Sequence, residues 1–406
     1  MISFAVTPEQ QQLVERVRAF VRDDVLPADA QVDHAGQLAG RWELVESLRE
    51  RARARGIWAP HLPAEWGGLG LGQVSMALVH QECGVSQLAS LGLGAMAPDE
   101  GNMHTLLAAA TPAQQERWLR PLAEGRVRSC FAMTEPDVAS SDPRNLRTRA
   151  TRDGGDWVLN GRKWFITGAD GAAFAIVVAR TAPPEQQRRA YSLFVVPTDT
   201  PGWTLVRDPR TIGAHFVGGH CEIELRDVRV PADALLGEEG AGLRIAQLRL
   251  AGGRLAHAMR WIGATQAALD LTCERALERT AFGRPLSEQG AIETFLADSA
   301  IDLSAARLLV LHAAWKVEQD LPHRQEVAIA KTFVAEAFGR VLDRAVQVFG
   351  SHGIATDAPI ARWWVDARAA RIYDGASEVH RMTIARELLG LAREGRTTAP
   401  ACGALS

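Results

Sequence analysis

Behind Thr7-Pro8-Glu9-Gln10, apolar residues recur at Leu13, Val14, Val17, Phe20 and Val21, the spacing of one helical face. The threonine, the proline after it and the glutamine three positions on form a capping-box start. Thr111-Pro112-Ala113-Gln114 repeats that start, with Trp118, Leu119 and Leu122 as the apolar face behind it. Between them His61 to Gly68 reads as a Pro- and Gly-marked loop. Past residue 128 the period shortens. β-rich runs lie at Trp157–Asn160, Ala175–Ala179, Tyr191–Val196, Trp203–Val206 and Cys221–Val230, with hairpin-type turns at Asp153-Gly154-Gly155-Asp156 and Asn160-Gly161. After Gly242 the helical period returns over about 242–280, 288–319, 325–349, 358–371 and 377–393. The pattern predicts an α+β, mainly α fold: an N-terminal helical domain (1–127), a middle antiparallel β-barrel or sandwich (128–236), a C-terminal four-helix bundle (237–394) and a flexible tail (395–406).

Composition narrows the class. The 406 residues suit two or three domains, and 47% hydrophobic with 23% charged residues is a globular balance. A net charge of −3 gives no nucleic-acid surface. Cys83, Cys130, Cys221, Cys273 and Cys402 show no C-x-x-C spacing, which argues against a zinc ribbon or a disulfide framework. The first ten residues lack the basic and apolar segments of a signal peptide, and the longest apolar run, Gly171 to Ala179, is too short to span a bilayer. A reduced, soluble, cytoplasmic protein is therefore expected. Only Lys163, Lys316 and Lys331 are lysines among 45 basic residues.

Four segments carry candidate chemistry, and each has a plain structural reading beside it. Phe131 to Asp142 is a strand end entering a turn rich in hydroxyls and backbone donors; it could bond a heteroaromatic edge or be an ordinary Asx/Ser turn. Lys163-Trp164-Phe165-Ile166-Thr167-Gly168 offers aromatic surface and a hydroxyl, or simply a sheet core. Glu278 to Arg284 ends a long helix, where an arginine can complement the helix dipole or bind a pyrophosphate. Arg371 to His380 places Asp374 in a loop before a helix that Ser377 could cap. His215, His220 and Cys221 look like ligands only on paper, and no metal is expected. Gly237 to Gly242 reads as a helix-start turn.

These segments, with Gln347-Val348-Phe349-Gly350-Ser351-His352-Gly353, occur in the order and spacing of the acyl-CoA dehydrogenase family, which the chain resembles over residues 7 to 393. Within it the chain resembles a branch that animals fuse to a kinase-like domain, on Ala97 to Met103, Phe131 to Asp142, and Asp374-Gly375 with Glu378-Val379-His380. The resemblance implies an FAD enzyme that converts an acyl-CoA to a trans-2-enoyl-CoA and passes electrons to an electron-transfer flavoprotein. By position Phe131, Met133, Thr134, Ser140, Phe165, Thr167 and Tyr373 would line the flavin. Arg279 and Phe282 would hold the pyrophosphate of a partner subunit's FAD, and Gln347 and Gly350 its adenosine half. A homodimer or homotetramer follows. Asp374 would be the base and Arg254 would support it electrostatically; the family's second base position is Gly253 here. Gly375 and Arg254 would meet substrate, with Asp99 and Asn102 near the acyl tail, where a polar acyl group could be read.

Two departures bear on this. Asp374 stands where the family mostly has glutamate, shortening the reach by about 1.5 Å. Ala376 replaces a threonine that often contacts the cofactor. Two rivals stay open at this level: an acyl-CoA oxidase or flavin monooxygenase on the same fold, and a catalytically silent acyl-CoA or flavin binder.

Overall fold

The computed structural model describes residues 5–32, 42–213, 216–355 and 358–396. His215 and most of the expected tail lie outside them. The main helices are α1 (Pro8–Phe20), α2 (Trp42–Ala54), α3 (Gln73–Glu82), α4 (Asp99–Ala109), α5 (Gly242–Glu278), α6 (Gly290–Glu318), α7 (Arg324–Phe349), α8 (Pro359–Ala370) and α9 (Ser377–Arg393). The strands of the main sheet are β1 (Ser129–Ala132), β2 (Arg149–Asp153), β3 (Asp156–Thr167), β4 (Phe174–Arg180), β5 (Tyr191–Pro197), β6 (Trp203–Arg207), β7 (His220–Pro231) and β8 (Leu235–Leu236). Both predicted capping boxes form: Thr7 with Gln10 and Thr111 with Gln114. Among the described residues no helix is long and apolar enough to cross a membrane.

Contacts divide the chain differently from its sequence texture. One unit joins residues 1–23 and 72–87 to everything from Arg254 onward; the other holds 24–71 and 88–253. The first unit is helical. Its core gathers Ala77 of α3, Met259, Trp261 and Ile262 of α5, Val310 and Ala314 of α6, Val334, Phe338 and Leu342 of α7, and Ile360 and Trp363 of α8. Two glycines let the backbones meet there. A Cβ on Gly263 would stand 1.9 Å from the Gln81 carbonyl oxygen, and one on Gly84 2.2 Å from that of Arg260.

The second unit is built on an eight-stranded sheet, ordered β6-β7-β3-β2-β4-β5-β8 with β1 beside β4. Here the structure corrects the antiparallel expectation. Most neighbours are antiparallel, but β1 runs parallel to β4, and β2 meets β4 in parallel at Arg149 and Arg180. Parallel neighbours need a long crossover, and residues 133–173, carrying β2 and β3, supply it. Strand β4 explains its unbroken apolar run: Phe174, Ile176 and Val178 enter one core with Met103, Leu106, Leu119 and Leu122, while Ala175, Val177 and Ala179 enter another with Trp157, Ile223 and Val228. The Asp153–Asp156 hairpin forms as expected. Asn160-Gly161 is not a turn; it lies inside β3 at a register shift against β7. A Cβ at 161 would lie 2.4 Å from Thr148 Oγ1, and Asn160 exchanges hydrogen bonds with the backbone and carboxylate of Asp227, both 2.9 Å.

Replacing Gly263 by alanine should push the α3 and α5 backbones apart. We expect a loss of about 2–3 kcal/mol, read as a lower urea midpoint at unchanged slope.

Candidate functional site

In the helical unit, the loop between α8 and α9 carries Tyr373, Asp374 and Gly375. Asp374 adopts a left-handed backbone (φ +52°) and Gly375 follows at φ +100°. A non-glycine residue in that region is costly and persists only where its surroundings hold it. They do. Arg254 Nε donates to the Asp374 carbonyl oxygen (2.9 Å), and Lys331 Nζ donates to the carbonyls of Ala370 (2.9 Å) and Gly375 (2.6 Å). His380 Nε2 sits 3.2 Å from the Asp374 carbonyl oxygen and directly under Gly375, where a Cβ would come within 2.7 Å of it. Trp261 Nε1 donates to the Tyr373 hydroxyl (3.0 Å). The Asp374 carboxylate itself lies 3.2 Å from His257 Nε2 on α5.

Burial sets the electrostatics of this cluster. It pushes Lys331 down to about 8, with Asp374 opposing the shift. It lowers Arg254 as well, again against Asp374, and raises the Tyr373 phenol. His380 is pushed down to about 4, first by burial and then by the positive charges of Arg254 and Lys331. A carboxylate that is 24% exposed, ringed by fixed donors and cations, can take up a proton in a preset position. Ser377 does not cap α9 as expected. It is the first helical residue, the cap position is Ala376, and the buried Ser377 hydroxyl has no hydrogen-bond partner among the described residues.

In the β-sheet unit, residues 131–142 leave β1 as a loop held from beneath. Lys163, wholly buried, donates from Nζ to the Met133 carbonyl and to the Glu135 carboxylate, both 2.9 Å. Burial pushes Lys163 down to about 8. Burial also pulls Glu135 upward, but Lys163 and the N–H groups of Arg147 and Thr148 outweigh it and hold the carboxyl below its usual range. Ser140 closes the loop on itself, its Oγ accepting from the Glu135 N–H at 2.9 Å. Thr134 Oγ1 donates to the Trp164 carbonyl, and the Trp164 N–H donates to the Thr134 carbonyl. That exchange fixes a β3 bulge on which Phe165 stands at φ +51° and 46% exposed, edge-on to Trp164. Thr167 Oγ1 is 3.0 Å from His220 Nδ1. An aromatic held outward on a strained bulge, next to hydroxyls and loop amides, fits a planar heteroaromatic group.

Asp99 and Asn102 make hydrogen bonds inside the β-sheet unit. Both are buried at the start of α4 and tie it to β1: Asp99 Oδ1 accepts from the Ser129 N–H and hydroxyl (2.8 and 2.7 Å), and Asn102 Nδ2 donates to Ser129 Oγ and the Cys130 carbonyl (2.9 and 3.1 Å). Asn102 Oδ1 accepts from Arg249, whose guanidinium also lies over the Phe131 ring at 4.2 Å. The polar atoms expected to read an acyl chain are thus engaged inside the protein.

The remaining candidates sit at the surface. Arg279 ends α5 beside a two-stranded hairpin pairing Thr280 with Pro285, whose tip is Phe282, fully exposed at φ +53°. Gln347 is exposed near the end of α7, and Gly350 follows at φ +64°. His220 and Cys221 bond Thr167 and the Gly218 carbonyl, and no group of three or more His, Cys, Asp or Glu side chains among the described residues could hold a metal ion. Sequence reasoning missed Lys331, His257, His380 and the Lys163–Glu135 pair. A signal for the lysines existed: in so arginine-rich a chain, two of the three lysines are the ones buried under loops.

Comparison with known proteins fits this geometry. Residues 7–126, 130–228 and 240–389 match the N-terminal, middle and C-terminal domains of acyl-CoA dehydrogenases. FadE2 of Mycobacterium tuberculosis, an acyl-CoA dehydrogenase by name, is 42% identical over 98% of this chain and all of its own length. Acyl-CoA dehydrogenase family member 10 of Mus musculus is 39% identical over 98% of this chain, which spans only 38% of that protein. Among solved structures, an acyl-CoA dehydrogenase by name from Mycobacterium abscessus superposes with a TM-score of 0.90 at 38% identity, covering 95% of this chain and 99% of that one. Butyryl-CoA dehydrogenase from Megasphaera elsdenii gives 0.86 at 32%, covering 96% and 100%. The FAD complex of PigA gives 0.87 at 25%, covering 96% and 100%.

His380 makes the stability of the helical unit pH-dependent. Its Nε2 faces a carbonyl and so carries the ring's proton, and a second proton would place a cation beside Arg254 and Lys331. Between about 6.5 and about 4 the unfolded chain binds that proton and the folded chain does not. Stability should therefore fall as pH drops through this window, by at most about 3 kcal/mol from this group. Urea midpoints measured from pH 7 to pH 4.5 should fall less steeply in His380→Gln than in the unsubstituted protein.

Proposed function

The chain belongs to the acyl-CoA dehydrogenase family, and on that premise we propose that it oxidises an acyl-CoA thioester to the trans-2-enoyl-CoA. Bound FAD would supply the acceptor for the β-hydride. The chain's part is to bind, orient and move one proton. Asp374 takes the proton α to the thioester carbonyl. Its backbone carbonyl is fixed by Arg254 and the next residue's by Lys331, so the loop does not have to reorganise as the proton moves. Phe131, Met133, Thr134, Ser140, Phe165, Thr167 and Tyr373 are the residues we assign to the flavin. Arg279, Phe282, Gln347 and Gly350 are assigned to the rest of the cofactor, across subunits. Gly375 and Arg254 are assigned to the thioester end of the substrate.

The observation that carries this reading is the left-handed Asp374 in the loop between α8 and α9, its carbonyl pinned by Arg254. It also argues against a silent binder, since a loop under such strain is maintained for a reason. A homo-oligomer accords with the apolar side chains the bundle leaves exposed, Leu277, Phe282, Ile301 and Ile354 among them. An electron-transfer flavoprotein is the proposed acceptor of the electrons.

An anaerobic titration of the purified protein with straight, branched and 4-hydroxy acyl-CoAs tests the reading. The flavin band should bleach with at least one of them, and Asp374→Asn should keep the band while losing at least about 10³-fold in bleaching rate. A variant that bleaches undiminished would remove Asp374 as the base. Fast reoxidation by air of the reduced, product-bound protein would favour the oxidase instead.

A further inference from the structure

Asp374 does not stand alone against solvent. Its Oδ2 lies 3.2 Å from Nε2 of His257, one turn along α5 from Arg254. The other ring nitrogen, Nδ1, is 3.1 Å from Nη2 of Arg260. A guanidinium has no acceptor, so it can only donate to Nδ1. Nδ1 therefore offers its lone pair, and the ring's single proton is on Nε2, pointing at the carboxylate. Arg260 is buried and is itself braced, its Nη1 lying 3.1 Å from His80 Nδ1 on α3. The imidazole cannot swing away. It stacks on Trp261 at 5.9 Å with planes 21° apart, and Tyr373 closes on it edge-on at 5.1 Å.

We propose that His257 is a positioning residue for the base: a neutral imidazole, locked by Arg260 as the Nε2–H tautomer, that binds one oxygen of Asp374 and holds the carboxylate in place. The inference rests on Asp374 being the base. A hydrogen bond to a carboxylate favours its ionised form, so His257 keeps the base ready at lower pH and fixes its rotamer. It cannot receive the substrate proton while Arg260 occupies Nδ1, so the proton stays on Asp374 until product leaves. The other groups facing this pair are Arg254 on α5, Lys331 on α7 with Glu336 near it, Asp366 on α8 through Tyr373, and His380 on α9. Arg254 and His380 meet the backbone carbonyl of Asp374.

The test uses the FAD-loaded protein and whichever acyl-CoA of the panel bleaches it fastest, read as flavin reduction rate against pH. His257→Leu removes the donor and keeps bulk; His257→Gln keeps an N–H donor. We expect the leucine variant to lose about 10- to 100-fold at neutral pH and its acidic limb to move up by about one pH unit. The glutamine variant should return the limb toward its original position. Equal effects of both variants with an unmoved limb would reduce His257 to packing and overturn the proposal. Should the leucine variant fail to fold, ¹⁵N spectra of histidine-labelled unsubstituted protein decide: a protonated Nε2 and an unprotonated, hydrogen-bonded Nδ1 are expected, and the opposite tautomer overturns the proposal. Asp374→Asn run beside them separates the two failures. If it still reduces the flavin, or if no acyl-CoA bleaches the unsubstituted protein, the base assignment falls and takes this inference with it. If it is dead while His257 variants keep the limb in place, only the inference falls.

Discussion

A loop that must hold a chemical group in one pose has carbonyl oxygens that no helix or strand ladder satisfies, and leaving them buried and unbonded is expensive. This protein meets that constraint twice in the same way, with a buried ammonium. Lys331 spans Ala370 and Gly375 across the loop of Asp374; Lys163 spans Met133 and Glu135 beneath the hydroxyl-rich loop. An ammonium is compact and aims three donors from one atom, which a planar guanidinium cannot do in the same volume. The chain uses arginine for 42 of its 45 basic residues, yet keeps lysine at these two places. Burial holds both near 8, so each keeps most of its charge at neutral pH, Lys163 facing Glu135 and Lys331 in the field of Asp374.

The clamps explain how the chain tolerates its least comfortable backbone. Phe165 and Asp374 both sit in the left-handed region, at a cost of order 1–3 kcal/mol each. Each is next to a lysine-held segment: Phe165 through the Thr134–Trp164 exchange one residue from Met133, Asp374 through the adjacent Gly375 carbonyl. The strain is local and the bonds opposing it are buried, where they are strongest. An outward-facing ring and an outward-facing carboxylate result, which are the two features the family's chemistry asks of the chain.

How much of this was legible depends on the range of the physics. The helices after Gly242 could be read closely because capping, breaks and a 3.6-residue period are local; α7 was expected over 325–349 and spans Arg324–Phe349. The pairing of β1 with β4 could not be read, since it depends on where the chain returns after 133–173. Asn160-Gly161 misled because the same dipeptide that favours a hairpin also suits a bulge, and the deciding contact is between Gly161 and Thr148, thirteen residues away. Asp99 and Asn102 looked available for a ligand because sequence shows polarity and not partners; their partners are on β1. The segments bearing Asp374 and Phe165 were found through resemblance, whereas His257 and Arg260 lie on the face of a long helix and carry no local signature at all.

The aspartate at 374 is better understood with these neighbours in place. A shorter carboxylate reaches less far, but it also has one fewer rotatable bond, so fixing it costs less side-chain entropy and its oxygens follow the backbone more closely. That exchange favours the enzyme only if the backbone is itself immobile. Arg254, Lys331 and His380 meet the carbonyls of residues 374 and 375 from three different helices, and His257 meets the carboxylate from the side. A glutamate in the same loop would carry its carboxylate about 1.5 Å farther and out of His257's present reach. The short carboxylate, the left-handed loop and the imidazole beside it are therefore parts of one arrangement, in which reach is given up and the position of the oxygens is set by the scaffold.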